Sequence, residues 1–156
     1  MYKARFAAAL LAVIAAAGCT PGSATGGSGG GVALGAVIIH ISLLNFAPHG
    51  SQYGIVAGYS PNPLIVSVGS TVQFVNDDNF THTASSVGQS GFPPGNPLNQ
   101  QALNQSGTDL GQLKWSSGAL AGGTPSQVFT ASVPGTYYFG CYFHYPEPMR
   151  GVIIVQ

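Results

Sequence analysis

The chain has 156 residues, room for one domain once a leader is set aside. Only 5 % are charged, the formal net charge is zero, and no basic stripe exists, which excludes nucleic acid as a partner. Gly (23) and Pro (11) are abundant, and the apolar residues of the last two-thirds are Val, Ile, Phe and Tyr in short stretches. That composition predicts an all-β domain with many turns.

At the N-terminus, Lys3 and Arg5 form a positive region, residues 6–17 are a run of 12 apolar side chains, and Ala16-Ala17-Gly18-Cys19 closes it. The run falls short of the roughly 20 residues a bilayer span needs and reads as a secretory signal over 1–18. Its end resembles the bacterial lipoprotein box, in which the cysteine becomes the lipidated first residue of the mature chain. Here that residue is Cys19. Ala16 stands where that box usually has Leu, so cleavage by the ordinary signal peptidase stays open. Residues 19–34 form a tether whose core, TPGSATGGSGGG, is Gly/Ser-rich and without apolar periodicity. The predicted domain is 35–156. Without the leader it carries Lys114 and Arg150 against Asp77, Asp78, Asp109 and Glu147, two cations against four anions, a net charge of −2. The expected location is the periplasm or outer cell envelope, lipid-anchored to a membrane. A lipidated Cys19 would leave Cys141 without a disulfide partner in an oxidising compartment, where a thiol needs an occupant; a metal is one.

From residue 32 onward short strand signals recur. Residues 37–43 (VIIHISL) open the domain, 64–68 (LIVSV) follow Asn62-Pro63, and Gly69-Ser70 makes a turn. Residues 71–76 (TVQFVN) alternate with period two, so Val72 and Phe74 share a face. Later come 127–133, the turn Pro134-Gly135, 136–142 and 151–155. The cadence predicts a Greek-key β-sandwich. Residues 88–111 interrupt it as one long irregular insertion, a functional flap or a mobile excursion, with a short helix around 98–103.

The block from Gly140 to Met149 has the form C-x2-H-x4-M, with ligand-type side chains at Cys141, His144 and Met149. A soft thiolate, an imidazole and a thioether on one short loop suit a copper ion cycling between Cu(I) and Cu(II). With 4 His and 2 Met in the chain, both fall at their offsets from Cys141 by chance about once in 3,000, so the spacing carries weight. Pro146 and Pro148 restrict the loop.

A further ligand has to come from elsewhere, and the strand end Phe74-Val75-Asn76-Asp77-Asp78-Asn79-Phe80-Thr81-His82-Thr83 offers His82. Together with Pro134-Gly135-Thr136-Tyr137, the Cys141–Met149 block and the strand pair of residues 59–69, this segment resembles the cupredoxin family, plastocyanin- and pseudoazurin-like, over about residues 58–87 and 113–156. The resemblance implies a cupredoxin sandwich with one mononuclear type 1 copper. Cys141, His82 and His144 would be strong equatorial ligands and Met149 a weak axial one. It also implies an electron-transfer protein rather than an enzyme, shuttling single electrons between redox partner proteins as a monomer. The alternative is a copper delivery or storage module. Relatives commonly carry Asn after the first His, where this chain has Thr83, and Pro before the second, where it has Phe143.

The remaining candidates read as structural. His40 lies in an apolar strand, edge-facing or hydrogen-bonded, and His49 in the turn Pro48-His49-Gly50. Tyr137 and Phe139 share strand parity with Cys141 and should pack in the core, as should Trp115. Tyr142, Phe143 and Tyr145 are candidates for an apolar collar around His144.

Overall fold

The computed structural model describes residues 31–156. The signal segment, Cys19 and most of the tether lie outside the described residues.

Short runs of β-branched and aromatic residues, punctuated by Gly and Pro, form two facing sheets. In the first, β10 (Pro125–Thr130), β6 (Thr71–Asn76), β1 (Val37–Ile41) and β4 (Tyr59–Ser60) lie in that order. The second runs β5 (Leu64–Val66), β12 (Arg150–Val155), β11 (Gly135–Gly140), β7 (Ser85–Gly88), β9 (Ser116–Ser117) and β8 (Gln105–Ser106). Strand β1 pairs parallel with β6 and β12 parallel with β5, while the other neighbours are antiparallel. The result is the expected Greek-key β-sandwich. A separate hairpin, β2 (His49–Ser51) with β3 (Gly54–Val56), was not foreshadowed by any alternating pattern. It places His49 on a strand rather than in a turn.

Alternation decides what each sheet buries. On β1 and β6, Ile39 stands beside Phe74, both fully buried. On β11, Tyr137 and Phe139 point inward with Cys141 just beyond the strand end. Phe74 packs edge-on against Phe139 (5.3 Å between centroids) and Phe129 (5.7 Å), and Trp115 lies 5.0 Å from Phe129. These aromatic contacts close the core beneath the loop of residues 141–149. One polar residue departs from the alternation. Gln73, expected on the outer face of β6, is buried because the segment before β1 covers it. Its amide donates to the Ser126 carbonyl (2.7 Å) and accepts from the Ala33 N–H (2.8 Å).

Residues 88–111 are tied down along their length. A 3-10 helix spans Gln100–Leu103, capped by Asn99, whose side chain accepts from the Gln101 N–H. The Ala102 carbonyl accepts from the buried Ser116 hydroxyl (2.7 Å), and Leu110, fully buried, donates its N–H to the Thr130 carbonyl (2.9 Å). These contacts dock the segment against the sandwich.

Candidate metal centre

Two separate pieces of chain converge at one end of the sandwich. The first leaves β6 at Asn76 and turns back to His82. Asn76 organises that turn: its side-chain amide donates to the carbonyls of Phe80 (2.7 Å) and Leu120 (2.9 Å), and its carbonyl oxygen accepts from the Asp78 N–H (3.1 Å). The backbone of His82 then pairs with that of Leu120 in both directions, at 3.1 and 2.8 Å. The second piece is the loop between β11 and β12. It closes on itself through Cys141 N–H to Met149 carbonyl (3.0 Å) and Met149 N–H to His144 carbonyl (3.1 Å). A one-turn loop with those two bonds holds Cys141, His144 and Met149 in fixed relation.

Thr83 joins the two pieces. Its hydroxyl oxygen accepts from the Tyr142 N–H (2.9 Å), and its own N–H points at the Cys141 sulfur (3.4 Å). The hydroxyl thus braces one segment against the other from the position where relatives commonly carry Asn. Tyr59, from the first sheet, donates its hydroxyl to the Thr83 carbonyl (2.6 Å) and fixes the segment from below.

The side chains that result form a compact donor set. The ligand atoms of His82, Cys141 and His144 lie within 4.8 Å of one another. The Cys141 sulfur is 3.7 Å from Nδ1 of His82 and 3.6 Å from Nδ1 of His144. For a first-row ion with bonds of about 2.0 Å to nitrogen and about 2.3 Å to sulfur, a 120° angle at the ion requires a nitrogen–sulfur span of about 3.7 Å. Both sulfur–nitrogen spans therefore suit a first-row ion, and two imidazole nitrogens with one thiolate sulfur are the donors blue copper takes. Met149, fully buried, sits at the same loop end against Gly58, whose φ of +74° and missing Cβ leave the space that the methionine side chain fills.

The electrostatics agree with the donor chemistry. Burial pushes the Cys141 thiol up from its ordinary value, against hydrogen bonds from the Thr83, His144 and Phe143 N–H groups, so a thiolate there calls for a neighbouring cation. Burial also lowers the pKa of His82, with a partial offset from the Asp78 hydrogen bond and carboxylate, and this favours the neutral imidazole that metals bind. The second ring nitrogen of His82 meets Oδ2 of Asp78 at 2.8 Å. For Asp78 itself, burial raises the pKa, but the Ser42 hydroxyl, His82 and the Leu43 N–H outweigh it and leave the carboxyl below its ordinary value. Sequence reasoning did not single out Asp78. The only signal was an acidic residue four positions before a candidate ligand.

Around His144 the aromatic residues divide. Phe143 is exposed (42 %) and Tyr142 half-buried, while Tyr145 is fully buried and belongs to the core, not to a collar. The Tyr145 ring lies 4.2 Å under the Arg150 guanidinium, and its hydroxyl donates to the Pro93 carbonyl (3.3 Å). Phe80 contacts both imidazoles, at 4.7 Å from the His82 ring and 5.8 Å from the His144 ring. The 88–111 segment also reaches the loop, where Asn96 donates its amide to the Tyr142 carbonyl (2.7 Å). His40 and His49 stand apart from the centre on exposed strand positions. His40 is hydrogen-bonded to Asp77 (2.8 Å), and it lies on an inner strand of its sheet, not at an edge.

No curated protein matches the chain by sequence. Among solved structures the chain is similar to a reduced amicyanin variant (TM-score 0.50, 22 % identity, 80 % of this chain and 86 % of that one). It is similar also to an amicyanin variant in its reduced Cu(I) form (TM-score 0.51, 22 % identity, the same coverage) and to an oxidized one (0.51, 21 %, the same coverage). At these identities the likeness establishes the fold. The sequence profile of copper binding proteins of the plastocyanin/azurin family matches residues 50–156, which takes in the whole donor set. With that match over more than half its length, and with a donor set that fits copper, the chain belongs to the copper-binding plastocyanin/azurin family of cupredoxins.

Proposed function

We propose that this protein is a one-electron carrier in which His82, Cys141 and His144 hold a single copper strongly and Met149 approaches it as a weak axial ligand. The observation that carries the reading is the pair of sulfur–nitrogen distances, 3.7 and 3.6 Å, around the buried Cys141 sulfur. When bound, copper supplies the one-electron couple between Cu(I) and Cu(II). The protein's part is to keep the donor set unchanged between the two states. The Thr83 bridge, the closed 141–149 loop and its two prolines all restrict movement of those side chains.

His144 is the half-buried member of the set, while His82, Cys141 and Met149 are fully enclosed. Electrons are therefore proposed to pass through the His144 edge, where the exposed ring of Phe143 offers an apolar contact to a redox partner protein. With so few charges on the surface, association with donor and acceptor should depend only weakly on ionic strength. The enclosure also supports a carrier over a delivery module, which needs an exchangeable ion. The N-terminal pattern supports export, lipidation at Cys19 and a flexible tether that lets the domain reach partners from a bacterial envelope membrane.

The test is the visible spectrum of the copper-loaded domain beside Cys141→Ser. A strong blue thiolate-to-copper band in the first and none in the second supports the reading. A colourless wild-type protein, or a blue serine variant, refutes it.

A further inference from the structure

The Asp78 carboxylate is among the least ordinary groups in the molecule. Its side chain is 1 % exposed, and the His82 side chain it meets is 0 % exposed. Oδ1 accepts from the Ser42 hydroxyl (2.6 Å), and Oδ2 accepts from the Leu43 N–H (2.7 Å) and meets Nε2 of His82 (2.8 Å). Three donors from two elements thus converge on one buried carboxylate. Among the described residues its one ion-pair partner is His82, and no Lys or Arg neutralises it. The neighbouring Asp77 is paired separately, with His40 on the exposed side.

A buried anion without a Lys or Arg partner is costly unless a positive charge lies close by. Nε2 of His82 faces Asp78 while Nδ1 faces the Cys141 sulfur, so the imidazole stands between the carboxylate and the proposed copper position. The contact also assigns the ring tautomer. A carboxylate can only accept, so Nε2 carries the hydrogen and Nδ1 keeps its lone pair for a metal.

Resting on the copper reading above, we infer that Asp78 is a positioning residue for His82 whose fixed negative charge lowers the reduction potential of the centre. A negative charge near the ion stabilises the more highly charged Cu(II) over Cu(I), and the tautomer lock presents Nδ1 to it in a single orientation. The sequence region around Ser42 and Leu43, outside the ligand loop, thereby becomes part of the redox machinery.

Two substitutions separate charge from shape. Asp78→Asn keeps an oxygen for the Leu43 and His82 donors and turns an amide toward Ser42, whose oxygen can accept, so the shape persists and the charge goes. Ser42→Ala leaves the charge and removes one donor, so more of the carboxylate's negative character falls on His82. For Asp78→Asn the ratio of Cu(I) to Cu(II) affinity should rise at least tenfold, a potential about 59 mV higher for a one-electron couple. Ser42→Ala should move the potential the opposite way and by less.

Nitrogen-15 shifts of His82 in the copper-free wild-type protein supply an independent reading. They should show hydrogen on Nε2, and a majority of the Nδ1-protonated form overturns the inference. If Asp78→Asn does not fold, a lower potential in Ser42→Ala still supports the inference, and an unchanged or higher one overturns it. A blue wild type whose potential ignores both substitutions sinks this inference alone. A wild type without the thiolate band sinks the copper reading with it.

Discussion

The Thr83 hydroxyl is the direct link between the two ligand-bearing segments, and replacing it with the near-isosteric valine isolates that link. In Thr83→Val the Tyr142 N–H loses its acceptor at 2.9 Å. The Ser85 hydroxyl, which also reaches Thr83, keeps its 2.7 Å partner in Ser116, so a single donor is orphaned. Leaving one buried donor unpaired costs about 1–3 kcal/mol. The described domain has 126 residues (31–156), for which the usual entropy of unfolding makes each kcal/mol worth about 4 °C in Tm. Scanning calorimetry of the copper-free protein should therefore show a loss of about 4–12 °C. Hydrogen exchange gives the local signature: the Tyr142 amide should exchange about 5- to 150-fold faster, while amides of β1 and β6 follow only the global change. A Tm within 2 °C of wild type, together with unchanged Tyr142 protection, would show that the bridge contributes nothing and that the loops are held apart from it.

Gly58→Ala should disturb the centre from the opposite side. The new methyl would sit 2.5 Å from Cγ of Met149 at a backbone φ of +74°, so both the left-handed strain of about 1–2 kcal/mol and displacement of the methionine apply. The expected outcome is a Tm lower by at least about 4 °C and an altered blue band; an unaltered band would remove Met149 from the ligand set. Asp109 provides a pH test away from the metal. The Ser132 hydroxyl holds its carboxyl below the usual range, against some burial and with help from the Gly111 and Ser132 N–H groups. Because the folded pKa is depressed, this stability is complete above the unfolded value of about 3.9 and is lost as pH falls through the folded one. Asp109→Asn should be less stable than wild type at pH 7, with the gap in Tm closing below about pH 4; a gap constant down to pH 2 would contradict the assignment.

Local periodicity and local spacing made much of this protein legible before any coordinates. β-branched runs between Gly and Pro turns determined the strands, because pairing and one-sided burial need little beyond period two. The candidate ligands of the C-terminal loop were readable because Cys141, His144 and Met149 lie within one short turn. His82 lies 59 residues before Cys141 along the chain, so no spacing rule could connect them. Resemblance nominated it, and the tertiary fold brought it to the sulfur. Other features were decided only by folding, since each depends on which surfaces meet. Tyr145 turns inward because Arg150 and the docked 88–111 segment cover it. Gln73 is enclosed because the N-terminal segment crosses it. Asp78 looks like an ordinary turn carboxylate in sequence, and becomes a buried partner of His82 because β1 ends at Ile41, setting the Ser42 hydroxyl and the Leu43 N–H against it. Strands and loop spacing are short-range properties of the chain, whereas the bonds from Ser42 and Leu43 that enclose the Asp78 carboxylate join residues more than thirty positions apart.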